Sequence, residues 1–494
     1  MLFNSATYLV FLTVASLLCV WGPAWLRRSI FLFGSLAFYG FWRWDFLALM
    51  VFNASIDYVA GWSISRTEST LKRRLWLWTS LVMNFGLLAF FKYTYFIAGN
   101  IESISQLFGM PVEFAVPSII LPLGISFYTF QSVSYTIDVF RGHQEPVRNY
   151  FTFLTYVTFW PQLVAGPILR CSEVVPLLER WKKPEAGQVM YGIEEIVQGL
   201  FKKIVLADSI APMVDRGFDT PISAMGPIDV WTLAFAFGFQ IYFDFSGYSQ
   251  IALGSARVLG LHFPPNFNWP YLATSPREFW KRWHISLSSW IRDYLYLPLM
   301  GTRFQHKSRS RGGILVDKEK DKQKIARQTP EWRRTFALFT TWFIMGLWHG
   351  AAWTFAVWGV WHAVLVWGHR IVAPIGKRWP AWMLAVVGFC ITLPLEMLAW
   401  IWFRAPTMSE AWTMVVRAFD LTRLSARTLR VDDYLMTFAY FAGMMLVAGV
   451  QWLWKKGRVP APLRIAGLAV GNAIMLFFVF LMLRKVESFI YFQF

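Results

Sequence analysis

Apolar stretches close to the length that spans a bilayer recur from one end of this chain to the other, and they leave few folds open. Tyr8–Val20, Leu75–Phe91, Ile228–Phe243, Met383–Ile401, Leu435–Leu453 and Ile465–Leu483 are the clearest. A membrane helix needs ~20 mostly apolar residues, because lipid offers nothing to satisfy an open backbone. Charged residues make up 15% of the chain, against about 25% in soluble domains. The chain therefore reads as an all-α, polytopic integral membrane protein of roughly eleven to thirteen transmembrane or re-entrant helices. Its 494 residues would allow two or three soluble domains by length, but no hydrophilic region is large enough to house one.

The net charge of +18 does not point to nucleic acid, because the basic residues sit in loops between apolar spans. An excess of Lys and Arg on the cytoplasmic side is the simpler cause. Arg27 and Arg28 mark one such loop, and Arg66, Lys72, Arg73 and Arg74 another. Residues 98–116 carry Glu102 and Glu113 with no Lys or Arg, so they are expected to face outward. With spans near 6–22, 29–41, 45–62, 75–97 and 117–140, this places the N-terminus outside. The first apolar segment lacks a basic lead and a small-residue cleavage site, and is expected to stay as a span. Cys19, Cys171 and Cys390 are scattered, so neither a disulfide framework nor a metal site is indicated.

Pro276–Gly301, PREFWKRWHISLSSWIRDYLYLPLMG, has helical spacing throughout. Trp280, Trp283, Leu287, Trp290, Tyr294 and Leu297 fall on one face, and Arg277, Lys281, His284, Ser288 and Arg292 on the other. The spacing predicts a Trp-rich helix at or in the membrane. Spacing alone allows an interfacial helix with His284 as a packing residue, or a face presenting His284 to a ligand.

Other polar positions interrupt the apolar pattern. Residues 1–100 read as four scaffold helices, with Asp57 in the third run as a helix–helix hydrogen-bonding residue. Residues 117–142 begin with Pro122 and Gly124 breaking the helix and continue with small and hydroxylated residues, and FWPQLVAGPILR (159–170) hints at a re-entrant loop or pocket. QIYFDFSGYSQIALG (240–254) reads as a polar helix seam, with Gly247 and Gly254 permitting close approach. Thr302–Arg334 holds eleven Lys or Arg against four Asp or Glu, as a cytoplasmic loop touching anionic lipid would. Glu396 and Arg404 are spaced to form a structural pair.

In FIMGLWHGAAWTFAVWGVWHAV (343–364), His349 lies between Trp348 and Gly350. A neutral imidazole carries one donor and one acceptor nitrogen, as a general base near neutral pH requires. Gly346 and Gly350 are expected to leave room beside it for a substrate chain. His362, further along, reads as packing or support.

Several of these segments together resemble the membrane-bound O-acyltransferases, and more closely their bacterial polysaccharide branch. The resemblance rests on LPLGISFYTFQSVSYTIDVFRG, FWPQLVAGPILR, YFDFSGYSQIALG, NFNWPYLATSPREFWKRWHISLSSWIRDYLYLPL, MGLWHGAAWTFAVWG and the terminal FIYFQF. It runs along nearly the whole chain. It implies one transmembrane domain over 1–494, built around an intramembrane tunnel: scaffold helices at 1–116, a catalytic core at 117–403 containing the basic loop 302–334, and C-terminal helices at 404–494. By resemblance, His349 corresponds to the family's catalytic histidine, and His284 to its second polar position.

The resemblance further implies a cytosolic acyl donor, acetyl-CoA, with no bound cofactor, and an exopolysaccharide acceptor such as alginate or cellulose. Acylation would be direct or through a periplasmic acetyltransferase or esterase-like partner, from the bacterial inner membrane. Two departures bear on the substrate: Gln250 in GYSQ, and Met300 where alginate-type members tend to have glycine. D-alanyl transfer to teichoic acid, and a non-catalytic transporter or structural subunit of an export complex, stand as alternatives.

Overall fold

The computed structural model describes residues 1–301, 329–483 and 489–490, and every regular element among them is helical. The basic loop thus falls largely outside the described residues, and Glu331–Arg334 form the first turn of a helix. Of the terminal FIYFQF, Phe489 and Ile490 are described.

Helix α1 (Ala6–Trp21) starts at Ser5, whose side chain accepts from the Tyr8 amide. Residues 24–40 follow as a second rod, bent by a π-turn at Ile30–Gly34. Helices α2 (Asp45–Arg66) and α3 (Thr70–Leu107) complete the expected four. Gly124, at φ +72°, turns the chain into α4 (Ile125–Phe140), a conformation glycine adopts without a side-chain penalty. Asp57 ties these helices together, accepting from Ser80 at 2.5 Å, from Asn84 at 2.9 Å on each oxygen, and from Thr136 at 3.4 Å. The expected hydrogen-bonding role of Asp57 is what the geometry shows.

The centre of the molecule is the pairing of α5 (Ala186–Leu200) with α6 (Pro227–Val258). Gly192 and Gly199 face Gly254 and Gly247, and a Cβ on Gly199 would stand 2.7 Å from the Gly247 carbonyl. The backbones touch because neither side has a side chain to hold them apart. Polar bonds lace the same seam: Gln250 donates to Gln198 at 2.7 Å and accepts from Lys202 at 2.7 Å. The Gln250 departure therefore falls in a helix seam.

Pro276–Gly301 is not the single helix its spacing predicts. It divides into α7 (Pro276–Arg282), α8 (Ile285–Ile291) and a π-turn at Arg292–Tyr296. The break lies at His284, whose backbone is left-handed at φ +40°. The preceding segment satisfies the groups this frees. The Ile285 amide donates to the Asn266 carbonyl at 2.9 Å, and the Asn268 amide to the Arg282 carbonyl at 2.9 Å. The break also removes His284 from the polar stripe: Arg277, Lys281 and Arg292 stay exposed while His284 is fully buried. Trp280, Trp283 and Trp290 are buried against protein, so this is a core element, not an interfacial helix.

Helices α9 (Glu331–His349), α10 (Trp353–Val372), α11 (Ala381–Arg404), α12 (Val431–Lys455) and α13 (Ala461–Leu481) close the bundle. Five helices among the described residues, α2, α3, α11, α12 and α13, are long and apolar enough to cross a bilayer. The protein is a multi-pass membrane protein. Glu396 and Arg404 do not pair: Arg404 bonds Asp215 at 2.8 Å, and Glu396 lies 3.3 Å from His362.

Candidate active site

Helix α9 ends on His349, and its end is held from a distant part of the chain. The last carbonyls of a helix have no intrahelical partner. Here α3 supplies the donors: Tyr93 Oη donates to the Leu347 carbonyl at 2.9 Å. Lys92 Nζ donates to the Trp348 carbonyl at 2.7 Å and to that of His349 at 2.9 Å. Trp353, just past the turn, donates its indole N–H to Asn100 at 2.8 Å on the same helix. Three consecutive carbonyls are thus fixed by two adjacent side chains of what the sequence presents as scaffold.

A cavity of about 210 Å³ opens at this helix end, lined by Lys92, Gly124, Phe127, Trp348, His349 and Phe489 among others. It is smaller than the roughly 300–1,000 Å³ of sites for drug-sized ligands. Trp348 is braced by a stack, 5.2 Å from Phe130, which in turn lies 3.9 Å from Trp290. His349 meets Trp358 edge-on at 4.9 Å and Phe403 at 5.5 Å.

Gly346 and Gly350 do not make the space expected of them. A Cβ on Gly346 would strike the Phe355 carbonyl and come within 3.2 Å of Gly359 Cα, and one on Gly350 would strike the Phe355 ring. These glycines let α10 close against α9, and the cavity lies instead toward Lys92 and Gly124. His362 sits among Trp280, Trp342 and Trp358, as a packing or supporting residue would.

His284 is placed next to this cavity and not on its wall. Phe127, which is on the wall, has its ring centroid 6.2 Å from His284 and 6.1 Å from Trp348. Phe245 meets the His284 ring at 4.7 Å. Both ring nitrogens of His284 lack a hydrogen-bond partner among the described residues. Buried polar atoms are normally satisfied, and the His362 ring nitrogens share this state, so it does not by itself set His284 apart. Sequence reading missed Lys92, Tyr93 and the wall position of Phe489. An intramembrane Lys at position 92 was the one signal that could have found the first.

A bundle of membrane helices with a buried histidine lining a cavity has the architecture of an integral membrane enzyme. The chain belongs to the membrane-bound O-acyltransferase family, whose sequence profile matches residues 64–316; it is an O-acyltransferase. The matched region includes His284 and ends before His349. A probable alginate O-acetylase, AlgI, of Azotobacter vinelandii is 35% identical over 479 residues, covering 94% of this chain and 87% of that protein. Its namesake in Pseudomonas aeruginosa is 34% identical over 428 residues, 84% and 76% of the two chains. A peptidoglycan O-acetyltransferase of Helicobacter pylori is 33% identical over 448 residues, 83% and 78%.

Proposed function

We propose that this protein takes an acetyl group from acetyl-CoA in the cytosol and passes it across the bacterial inner membrane to O-acetylate an exopolysaccharide. The acceptor is alginate- or cellulose-like, reached directly or through a periplasmic acetyltransferase or esterase-like partner. The N-terminus faces the periplasm, in keeping with the basic loops on the opposite side. The observation that carries this reading is the placement of His349 on the wall of a small cavity, in a chain that aligns with named O-acetylases along most of its length.

In this reading one His349 ring nitrogen takes the proton of the acceptor hydroxyl as its oxygen attacks the thioester carbonyl. The new C–O ester bond forms, the C–S bond breaks, and the departing sulfur takes the proton from the imidazole. The aromatic and aliphatic part of the lining limits the water that would hydrolyse the thioester. His284, behind Phe127, orients the donor or stabilises developing charge.

The test is the O-acetyl content of polymer secreted by a deletion strain carrying wild type or His349→Ala at matched membrane levels. Loss of general-base help removes about 10²–10⁴ in rate, so the polymer should persist while its acetyl esters all but vanish. Esters that survive the substitution overturn the assignment of His349. Loss of the polymer itself, or esters of D-alanine in place of acetate, overturn the proposed activity.

A further inference from the structure

Lys92 has two properties that a structural cap alone does not require. It lines the same cavity as His349, and no carboxylate pairs with its Nζ among the described residues. An unpaired charge at membrane depth is costly and marks function more often than packing. What holds the cation there is the carbonyl end of α9, where the Trp348 and His349 oxygens accept from it at 2.7 and 2.9 Å and the helix dipole favours positive charge. The Trp348 ring adds a face 5.9 Å away. These contacts fix the ammonium before any substrate arrives. They use two of its three N–H donors.

We propose that Lys92 stabilises the oxyanion formed when the acceptor hydroxyl attacks the acyl thioester in this cavity. This deepens the acyl-transfer reading and rests on it. As the hydroxyl oxygen bonds to the carbonyl carbon, the C=O π pair moves onto oxygen, and the resulting negative charge faces the third N–H of Lys92. Collapse returns that pair, breaks the C–S bond, and leaves the ammonium with all its protons. A pre-positioned donor of this kind acts on the transition state more than on the bound donor. The arrangement also gives the charge-stabilising task to a residue on the cavity wall, where His284 is one layer back.

Inside-out vesicles from the complemented deletion strain, fed radiolabelled acetyl-CoA, give the rate of alkali-labile label as a function of donor concentration. Lys92→Gln keeps N–H donors for the α9 carbonyls without the charge. Lys92→Arg keeps the charge, and Lys92→Met removes both. Removing one oxyanion donor costs about 10²–10³ in turnover. Lys92→Gln should therefore lose that much in kcat, with KM for acetyl-CoA and thermal midpoint near wild type. Lys92→Arg should recover to within about tenfold of wild type, since a fixed positive charge is what the transition state needs. Wild-type kcat in Lys92→Gln, or a rise in KM alone, overturns the proposal and leaves Lys92 as a cap or a ground-state anchor. Wild-type vesicles that transfer no label at all overturn the acyl-transfer reading first, and this proposal with it.

Discussion

The Ile490 amide donates to Oδ2 of Asp244 at 2.9 Å, while Oδ1 of the same carboxylate lies 2.6 Å from Lys203 Nζ. A backbone group near the C-terminus and a cation at the end of the central helix pair thus meet on one buried side chain. Asp244 is 2% exposed. Asp244→Ala should free the Ile490 amide and strip Lys203 of one of the two carboxylates it meets among the described residues. Removing one partner of a buried pair costs about 3–5 kcal/mol. The expected result is a clear fall in the thermal midpoint of the detergent-solubilised protein. A midpoint unchanged from wild type would mean that Asp208, 2.6 Å from Lys203, suffices alone.

Phe489 is fully buried and forms part of the cavity wall, packed at 4.6 Å on Tyr248 and 5.5 Å from Phe245. Truncating it lengthens the space available to an acyl group. Phe489→Ala is expected to slow acetyl transfer and to improve butyryl relative to acetyl transfer at least tenfold. That ratio corresponds to roughly 1.4 kcal/mol and lies within reach of a pocket change of one or two methylenes. Competing the two labelled donors in vesicles measures the ratio directly, and an unchanged ratio would show that Phe489 does not limit chain length.

The glycine seam gives a sharper stability test because the opposing atoms are backbone. Gly199→Ala puts a methyl 2.7 Å from the Gly247 carbonyl, and overpacking of this kind costs about 1–3 kcal/mol. Gly86→Ala on α3 is the matched control, since nothing lies within 4 Å of its added Cβ. Size-exclusion profiles after a heating series should show Gly199→Ala failing at a lower temperature than wild type. Gly86→Ala should hold or gain slightly.

His284 combines a left-handed backbone with a buried ring, so its substitutions separate the two roles. Asn enters that conformation readily, whereas a β-branched side chain does so at roughly 1–2 kcal/mol or more. His284→Asn should express and fold as wild type, and His284→Val should not. If well-folded His284→Asn also loses at least tenfold in ester content, the imidazole takes part in the reaction. Full ester content would confine it to shaping the turn.

How much of this could be read from the chain depended on whether neighbours in sequence or neighbours in space set the structure. Helix positions and the turn at Gly124 follow from local pattern and are legible, and a lone carboxylate in an apolar run marks Asp57 as bonded without naming its partners on other helices. The division of Pro276–Gly301 is not legible, because its helical spacing continues unbroken through His284. Only the Asn266–Asn268 segment alongside, which satisfies the freed groups, makes the break stable. Sequence places Gly346 and Gly350 beside His349 as open space, and periodicity does not reveal that α10 folds back onto them. Spacing matches Glu396 with Arg404, but its neighbour in space is His362. The cavity wall draws on residues as far apart as Lys92 and Phe489, a relationship no window of sequence contains.

The grip of α3 on the end of α9 also has a consequence in time. Lys92 precedes the carbonyl it binds at Trp348 by 256 residues, and chains lengthen at about 5–20 residues per second. For roughly 10–50 s of each synthesis cycle, the ammonium must therefore sit in the young chain without the helix that holds it. The N-terminal helices are born with an unmet demand, and completion of the second half is what settles them.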